Sequence, residues 1–491
     1  MKRVAFSGRL VMLGFGSIGQ GVLPLILRHV DMPRDRIRIV SGDERGREVA
    51  ASHGIPFAVR PLTRRDFREV LAPLVGPGDF LLNLSVDVSS VALIGFCQEA
   101  GALYLDTCIE PWAGGYTDPS LTPSLRSNYA LRESALALTK RAGAKRAGAQ
   151  EDTTRDTTRD GTRGMGPTAV LTHGANPGLV SHFVKRALLN IARDTGVGTS
   201  APAPADRAGW ARLARTLGVR VIHIAERDTQ IASVAKQQGE FVNTWSIDGF
   251  VGEGCQPAEL GWGSHEARLP EDGFRHDFGC GAAIYLMRPG ASTRVRTWTP
   301  KAGPIHGFLI THNESISIAD YYSVVENGSV AYRPTVHYAY HPCDDAVLSV
   351  HELAGLNWRQ QPRQRLMMDE IRSGVDELGV LLMGHAKGAY WYGSVLSIEQ
   401  ARALAPHNNA TSLQVTAAVL GGLVWAIENP SAGLVEADHL DHERVLAVAE
   451  PYLGDMVGAY TDWTPLLDRG RLFPEDVDMA DPWQFRNFRV V

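Results

Sequence analysis

The sequence predicts an α/β protein in which a Rossmann-type doubly wound parallel sheet is followed by a second, mixed α/β domain. Through the first 178 residues, short apolar runs alternate with helical patterns, and such alternation is typical of βαβ units. A glycine-rich turn joins the first apolar run to the first helix. Beyond residue 181, aromatic residues and strand-like stretches become concentrated, which indicates a change of domain.

The first domain, residues 1–178, is predicted to hold the parallel sheet. Its helices are expected at 18–30 and 89–99, each between two apolar runs. The predicted strands are residues 10–13, 36–40, 80–84, 103–105 and 168–172.

Residues 141–166 interrupt this pattern. The segment is rich in Ala, Gly, Lys and Arg, nearly repeats Asp-Thr-Thr-Arg, and has almost no large apolar side chain. Because it cannot offset its ordering entropy by burial, we predict a flexible surface insertion. A basic interaction tail is the alternative, but the acidic residues inside the segment argue against it.

The second domain is predicted to span residues 179–400, with a C-terminal segment at 401–491. A helix at 412–427 has apolar residues on more than one face, so we expect it to be buried and to return to the nucleotide domain. The other predicted elements are helices at 183–193 and 206–217 and strands at 220–225, 241–246, 283–287, 293–298 and 308–311.

Composition narrows the class of protein. A formal net charge of −5 over 491 residues offers no basic face for nucleic acid. The longest apolar run, 417–427, is too short to cross a bilayer, and the N-terminus lacks the apolar core of a signal peptide. Five scattered cysteines without a Cys-x-x-Cys pair favour a reducing compartment. We therefore expect a cytoplasmic enzyme with no membrane or nucleic-acid partner.

Residues 14–19 read GFGSIG and form a G-x-G-x-x-G motif between a strand and a helix. Gly14 allows the tight turn, Gly16 lets a pyrophosphate approach the backbone, and Gly19 lets helix and strand pack closely. With Ser17 and Ile18, these residues are predicted to bind the phosphates at the helix N-terminus.

The residue that binds the ribose is less clearly marked. An acid is usual at the end of the second strand, but Ser41 stands there, and Asp43 and Glu44 follow slightly later. Asp43 is our predicted ribose contact, with NAD as the cofactor. Arg45 could accommodate a 2′-phosphate, so NADP remains an alternative.

Long and unusual motifs extend over nearly the whole chain. They are NLSVD (83–87), YLDT (104–107), EPW (110–112), RSNYALRE (126–133), GANPG (174–178), IHIAERDTQ (222–230), FVNTW (241–245), PAELGWG (257–263), THNESI (311–316), DELGV (376–380) and DPWQFRN (481–487). Together they resemble the bacterial homospermidine synthases of the saccharopine dehydrogenase-like superfamily. The chain departs from that family at Ser41, where an aspartate is usual, and in the length of the insertion at 141–166.

The resemblance implies a reaction on polyamines. A putrescine carbon gives hydride to NAD, the resulting imine exchanges ammonia for a second putrescine, and the same nucleotide reduces the new imine to homospermidine. Spermidine can replace one putrescine, with release of diaminopropane. The resemblance also implies a homodimer, with the second domain serving substrate binding and dimerisation.

Several polar side chains follow strands of the first domain. Glu110 comes after the strand predicted at 103–105 and Asp87 after the strand predicted at 80–84, although Asp87 also suits a helix N-cap. Asn176 lies in an Asn-Pro-Gly turn, which turn chemistry alone would explain. By resemblance, Glu110, Asp87 and Asn176 contact the polyamine, with Glu110 and Asn176 also catalytic, and Ser85, Asp87 and Thr107 contact the cofactor.

Further site residues come from the second domain. Glu226 ends an apolar strand and by resemblance is an amine-binding carboxylate and base. Trp245, which on its own suggests a core residue, is predicted to bind an alkylammonium by a cation–π contact of ~2 kcal/mol, with Glu253 beside it. His312 titrates in a range that suits a proton shuttle. Asp376 is expected to cap or line a helix at the far end of the pocket.

The sequence also admits a metal site and two other functions. His337, His341 and Asp344 resemble metal ligands, but the set is incomplete, so we predict no metal. A saccharopine- or carboxyspermidine-type dehydrogenase would need arginines in the pocket for a carboxylate substrate, and the chain offers Arg132, Arg227, Arg294 and Arg296. A non-catalytic nucleotide sensor is the remaining alternative.

Overall fold

The computed structural model describes residues 3–147, 166–198 and 203–490. Two sheets organise these residues, one in each of the predicted domains. The first seven residues of the predicted insertion, 141–147, continue the helix Asn128–Ala147. Residues 148–165 of that insertion lie outside the described residues, so its predicted flexibility stays a prediction.

The sheet of the first domain is parallel throughout, which confirms the predicted fold class. Its order reverses at the first strand, Leu10–Leu13, and this reversal creates the crevice in which doubly wound folds bind ligands. Two three-residue strands at the sheet edges were not predicted, because runs so short have no readable pattern. Across the sheet, the strands are Leu434–Glu436, Ala169–Leu171, Leu103–Asp106, Phe80–Asn83, Leu10–Leu13, Ile37–Ser41 and Phe57–Val59.

Helices cover both faces of this sheet. The second predicted helix is capped by Ser89, whose hydroxyl accepts a hydrogen bond from the Ala92 amide at 3.3 Å. Asp87 is therefore not the cap, and its backbone adopts a φ of 62° instead. The helices of this domain are Ser17–His29, Arg47–Ser52, Phe67–Leu71, Ser90–Ala100 and Asn128–Ala147.

The second domain is built on a mixed sheet that has eleven strands in the described ranges. The two strands at its centre, Val221–Asp228 and Thr335–His341, run parallel to each other, and the other strand pairs are antiparallel. Along the main path, the order is Gly273–Arg275, Ala283–Pro289, Pro257–Gly261, Thr335–His341, Val221–Asp228, Val375–His385, Gly388–Ser397 and Asp455–Thr461. The remaining strands are Arg294–Thr299, Gly303–Phe308 and Arg489–Val490.

Two expectations for this domain were wrong. The strand expected at 308–311 is Gly303–Phe308, and Leu309 and Ile310 are apolar because their loop is buried. The strand expected at 241–246 is Glu240–Asn243, which pairs with Arg363–Leu366 outside the large sheet. Asp376 itself lies in the strand Val375–His385, and its carboxylate accepts from Thr411 in the first turn of the helix Ala410–Glu428, so it lines a helix as expected.

The helix Ala410–Glu428 returns from the second domain and packs against the helix Ser17–His29. Asn409 and Ser412 form a capping box at its N-terminus. This helix has 19 residues and is longer than the apolar run at 417–427, which we expected to be too short to cross a bilayer. By length and composition, it is the one helix in the described residues that could cross a membrane. Since 89% of its apolar window is buried in protein, its apolarity matches a position in the core.

The other helices of the second domain surround the mixed sheet. One of them, Ile247–Cys255, carries Glu253, and His312 immediately precedes another, Asn313–Tyr321. The rest are Leu179–Thr195, Arg207–Leu217, Asp344–Gly355, Ile398–Leu404, His442–Ala449 and Phe485–Phe488.

Candidate functional site

The glycine turn opens a cleft at the carboxyl end of the parallel sheet. Gly14 has a φ of 83°, and a Cβ there would lie 2.7 Å from the carbonyl oxygen of Leu84. At Gly16 a Cβ would meet no atom within 4 Å, so the backbone is open to a ligand. The cleft, of about 920 Å³, is lined by most of the predicted cofactor contacts: Gly14, Gly16, Ser17, Ile18, Gly19, Asp43, Ser85 and Asp87. We call it the nucleotide cleft.

The far end of this cleft contains an ion pair. The carboxylate of Asp43 lies 2.7 Å from the Arg45 guanidinium and accepts a hydrogen bond from the Arg45 amide at 2.9 Å. Arg45 itself also lines the cleft, as does Ser41. Glu44, the other acid after the second strand, pairs with Arg47 instead.

A smaller cavity of about 100 Å³, the inner pocket, adjoins the nucleotide cleft. Ile18, Leu84, Ser85, Val86 and Ser246 line both cavities, which places the inner pocket beside a ligand in the cleft. It is lined by Ile18, Leu84, Ser85, Val86, Thr107, Cys108, Gly174, Ala175, Asn176, Pro177, Glu226, Trp245, Ser246, Gly249, Glu253, His312, Tyr338, Thr411 and Val415.

Glu226 is the buried carboxylate of this pocket. Its Oε2 accepts hydrogen bonds from Asn176 Nδ2 at 2.8 Å and from the Tyr338 hydroxyl at 2.5 Å. Burial raises the pKa of Glu226 to about 7, against the opposing effect of these two hydrogen bonds. The side chain can therefore gain or lose a proton near neutral pH, as a general base requires.

His312 stands between two carboxylates. Its Nε2 lies 2.9 Å from Glu253 Oε2, and its Nδ1 lies 3.2 Å from Glu314 Oε1. Burial by itself would lower the pKa of His312, but the two carboxylates raise it to about 10. This imidazole is consequently protonated at neutral pH and is a hydrogen-bond donor rather than a free base.

Trp245 lines the pocket at the start of the loop that follows Glu240–Asn243. Its Nε1 donates a hydrogen bond to the Tyr340 hydroxyl at 3.0 Å, and its ring centroid lies 5.3 Å from that of Phe250. The indole is only partly buried. It is thus held in one orientation while part of its surface stays available to a ligand.

Two predicted contacts lie behind the pocket wall. Glu110 is 4% exposed, and the Cys108 thiol, which lines the pocket, donates to its Oε1 at 3.6 Å. Burial, with the charges of Glu253 and Asp87, raises the pKa of Glu110 to about 8. Asp376 likewise stands behind Thr411, whose hydroxyl donates to its Oδ2 at 2.5 Å. Burial and the nearby acids raise the pKa of Asp376 well above its usual range.

Glu253 and Thr107 both line the inner pocket. Thr107 was expected to contact the cofactor, and it lies on the wall of the inner pocket rather than of the cleft.

Sequence reasoning missed the two tyrosines of the site. Tyr338 and Tyr340 lie on one face of Thr335–His341, while His337 on the opposite face packs 4.0 Å from the His223 ring. Asp344, grouped with the histidines as a candidate ligand, pairs with Arg227. Within the described ranges, no three His, Cys, Asp or Glu side chains form a metal-binding group. For the two tyrosines, the available sequence signal was the alternation of side chains along residues 335–341, which places Tyr338 and Tyr340 on the same face of a strand.

No arginine or lysine lines the inner pocket in the part of the chain that the structure describes. Arg132 is buried and forms ion pairs with Glu436 and Asp320, and Arg227 pairs with Asp344. Arg296 contacts His306 and Arg294 lies on the same strand. Among the described residues, the pocket therefore lacks the arginines that a carboxylate substrate would need.

Comparison with known proteins identifies both domains. The saccharopine dehydrogenase NADP binding domain matches residues 10–149, and the saccharopine dehydrogenase C-terminal domain matches residues 174–461. The homospermidine synthase of Blastochloris viridis is 55% identical over 487 residues, covering 98% of this chain and 97% of the relative. That of Mesorhizobium japonicum is 51% identical over 489 residues, covering 99% and 96%.

A solved structure agrees with these relatives. The homospermidine synthase of Legionella pneumophila in complex with NAD superposes with a TM-score of 0.88 at 47% identity, covering 100% of this chain and 99% of that one. A nucleotide cleft on a doubly wound sheet, joined to a mixed-sheet domain, defines a saccharopine dehydrogenase-like enzyme. Within that class, the chain belongs to the homospermidine synthase family, as its motifs predicted.

Proposed function

We propose that this enzyme converts two putrescines, or spermidine and putrescine, into homospermidine, with release of ammonia or diaminopropane. The observation that carries the proposal is the inner pocket, in which Glu226 and Trp245 both line the wall beside the nucleotide cleft, and no arginine or lysine of the described residues joins them. A flexible dication needs a carboxylate and an aromatic face of this kind. The names of the close relatives support the same reaction.

The cleft suits a dinucleotide, and we propose NAD. The open backbone at Gly16 and the N-terminus of the helix Ser17–His29 would hold the pyrophosphate. When bound, NAD supplies the hydride acceptor for the amine carbon and, once reduced, the donor that returns the hydride. Asp43 would repel a 2′-phosphate and already engages Arg45, which favours NAD over NADP. Calorimetry should give a lower Kd for NAD⁺ than for NADP⁺.

The roles of the side chains follow from their protonation. An ammonium cannot release hydride from its carbon, so Glu226 first takes a proton from the reacting nitrogen. Asn176 holds the carboxylate through its amide. Protonated His312 then gives its proton to the departing ammonia and is charged again by the incoming ammonium, with Glu253 and Glu110 stabilising the cations. Asp87, on the wall of the nucleotide cleft, would attract one free ammonium group, and Asp376 would act on the other through the Thr411 hydroxyl.

The exchange itself conserves atoms and electrons. The carbon–nitrogen bond to ammonia breaks while a carbon–nitrogen bond to the second diamine forms, so the products contain all the atoms of the two substrates. The apolar walls at Leu84, Val86 and Val415 limit water near the imine, which would otherwise hydrolyse to an aldehyde. No net oxidation results, and the nucleotide is used as a prosthetic group.

The test is a single incubation of purified enzyme with putrescine and NAD⁺, followed by mass spectrometry for homospermidine and an assay for ammonia. We expect both products in equal amounts without accumulation of NADH. Steady release of NADH would instead identify a dehydrogenase. Binding of NAD⁺ without any product would identify a nucleotide sensor.

We further propose that the enzyme is a cytoplasmic homodimer. The five cysteines, all within the described residues, are free thiols, which suits a reducing compartment. Leu472, Phe473 and Met479 are exposed by 83%, 77% and 69%, and exposed apolar side chains of this kind favour contact with a second subunit. Light scattering coupled to size-exclusion chromatography should give twice the 53.4 kDa of the chain.

A further inference from the structure

Two tyrosines lie side by side on the central strand Thr335–His341. Tyr338 and Tyr340 are two positions apart, so their side chains lie on the same face of the sheet. Their rings stack with centroids 5.2 Å apart and planes 10° from parallel. The strand runs parallel to Val221–Asp228, with Tyr340 opposite Glu226. Both rings are buried.

Each hydroxyl engages a different site residue. Tyr338 donates to Glu226 Oε2 at 2.5 Å, and Tyr340 accepts from Trp245 Nε1 at 3.0 Å. Neither hydroxyl has another hydrogen-bond partner among the residues described. One stacked pair therefore connects the carboxylate of the pocket to its indole.

We propose that Tyr338 and Tyr340 are positioning residues with separate tasks: Tyr338 sets the orientation and charge of Glu226, and Tyr340 sets the orientation of Trp245. Because the two rings are stacked, the carboxylate and the indole are aligned on the same ammonium group. This inference rests on the proposed function, since it concerns how the diamine is held for reaction.

The hydrogen bonds to Glu226 show how Tyr338 acts. Asn176 and Tyr338 both donate to Oε2, while Oε1 has no protein partner in the described ranges. Oε1 is thus the oxygen that meets the reacting amine. A phenol donor also stabilises the charged carboxylate and lowers its pKa. The titratable groups around Glu226 are Tyr338, Tyr340, His312, Asp228 and Asp376.

Tyr340 acts on geometry rather than on charge. Its hydroxyl accepts from an indole N–H, a group that does not titrate. Cation–π attraction depends on the ammonium lying over the ring face, so an indole free to turn binds the diamine less well. Losing this hydrogen bond should therefore weaken binding of the diamine without shifting either limb of the pH–rate profile.

The matched variants Tyr338→Phe and Tyr340→Phe separate the two tasks, because each removes one hydroxyl from the same stacked pair. Initial rates of homospermidine formation give kcat and KM for putrescine from pH 5.5 to 9.5. Melting temperature and the Kd for NAD⁺ are measured on every variant. Wild-type enzyme runs in parallel, so a failure of the proposed function appears as absence of homospermidine before any variant is compared.

We expect Tyr338→Phe to move the acid limb of kcat/KM up by about one pH unit and to lower the rate at pH 6 about tenfold, the usual effect of one hydrogen bond to a charged group. Tyr340→Phe should leave that limb in place and raise KM by up to about tenfold, the range for a neutral hydrogen bond. In a Glu226→Gln background, Tyr338→Phe should have no further effect on the pH profile.

Equal effects of the two variants, or an acid limb that Tyr338→Phe leaves in place, would overturn the inference. If Tyr338→Phe does not fold, 3-fluorotyrosine at position 338 provides an independent test. Its more acidic hydroxyl strengthens the hydrogen bond, so the acid limb should move to lower pH. A limb that stays in place in the fluorinated enzyme would equally contradict the role of Tyr338.

Discussion

The nucleotide cleft and the inner pocket adjoin each other but are built in different ways. Around the glycine turn the cleft is formed by contiguous backbone, where Gly14 and Gly16 shape the surface, and residues of the second domain such as Met368 and Asn408 complete its wall. The inner pocket is formed by side chains from elements far apart in the chain, among them Asn176, Glu226 and His312. A local motif can thus specify where the cofactor phosphates would bind, whereas the reactive site depends entirely on how the two domains pack.

This contrast predicts that substitutions in the pocket stop the reaction and leave cofactor binding intact. The largest effect is expected for Glu226→Gln, which removes the base and should lower kcat about 10²- to 10⁴-fold. The Kd for NAD⁺ should change little, as calorimetry would show. Glu44→Gln, which alters an exposed acid paired with Arg47, is the control and should retain full activity. Loss of NAD⁺ binding in Glu226→Gln would break the contrast.

Trp245→Leu should have the next largest effect. It removes a cation–π contact of ~2 kcal/mol, equivalent to about 30-fold in kcat/KM. We expect most of this loss in KM for putrescine, since the indole binds the ammonium before and during the reaction. Trp425→Leu, at a buried position outside the pocket lining, serves as the tryptophan control. An unchanged KM in Trp245→Leu would mean that the indole does not contact the diamine.

The pH profile sharpens the same comparison. Glu226, with its pKa raised to about 7, must be ionised, so kcat/KM should rise with pH up to about 7 and fall about tenfold per unit below it. Binding of NAD⁺ should be nearly flat over the same range, because the backbone of the glycine turn does not titrate. An acid limb near pH 4.3, the ordinary glutamate value, would show that a different group is the base.

The smallest change in activity is expected in the cleft. Gly16→Ala places a methyl group where the cofactor phosphates would lie, so the Kd for NAD⁺ should rise about tenfold. With saturating NAD⁺, kcat should stay near the wild-type value. Gly14→Ala is the contrasting variant, because a φ of 83° and the contact with Leu84 should lower the melting temperature. Unchanged NAD⁺ affinity in Gly16→Ala would place the phosphates elsewhere.

Sequence patterns predicted the regular parts of the fold well. Five of the parallel strands were recognisable because each is a compact apolar run. The three-residue edge strands Phe57–Val59 and Leu434–Glu436 were missed, since pairing with a neighbouring strand of the sheet, rather than a pattern of their own, makes them extended. The hairpin that carries Asp376 was missed as well. The roles of Tyr338 and Tyr340 were also missed, because the histidines beside them in sequence suggested a metal instead.

What the sequence by itself determined is the nucleotide domain: a glycine turn and apolar runs act through local conformation, so residues near one another carry the whole signal. Family motifs added the reaction and its candidate residues. Only the tertiary structure decided that Glu226 Oε2 accepts from Asn176 and Tyr338, that His312 is held charged between Glu253 and Glu314, and that Glu110 and Asp376 stand behind the wall. These properties depend on burial and largely on contacts between residues that are 35 to 112 positions apart, and short-range patterns do not contain that information.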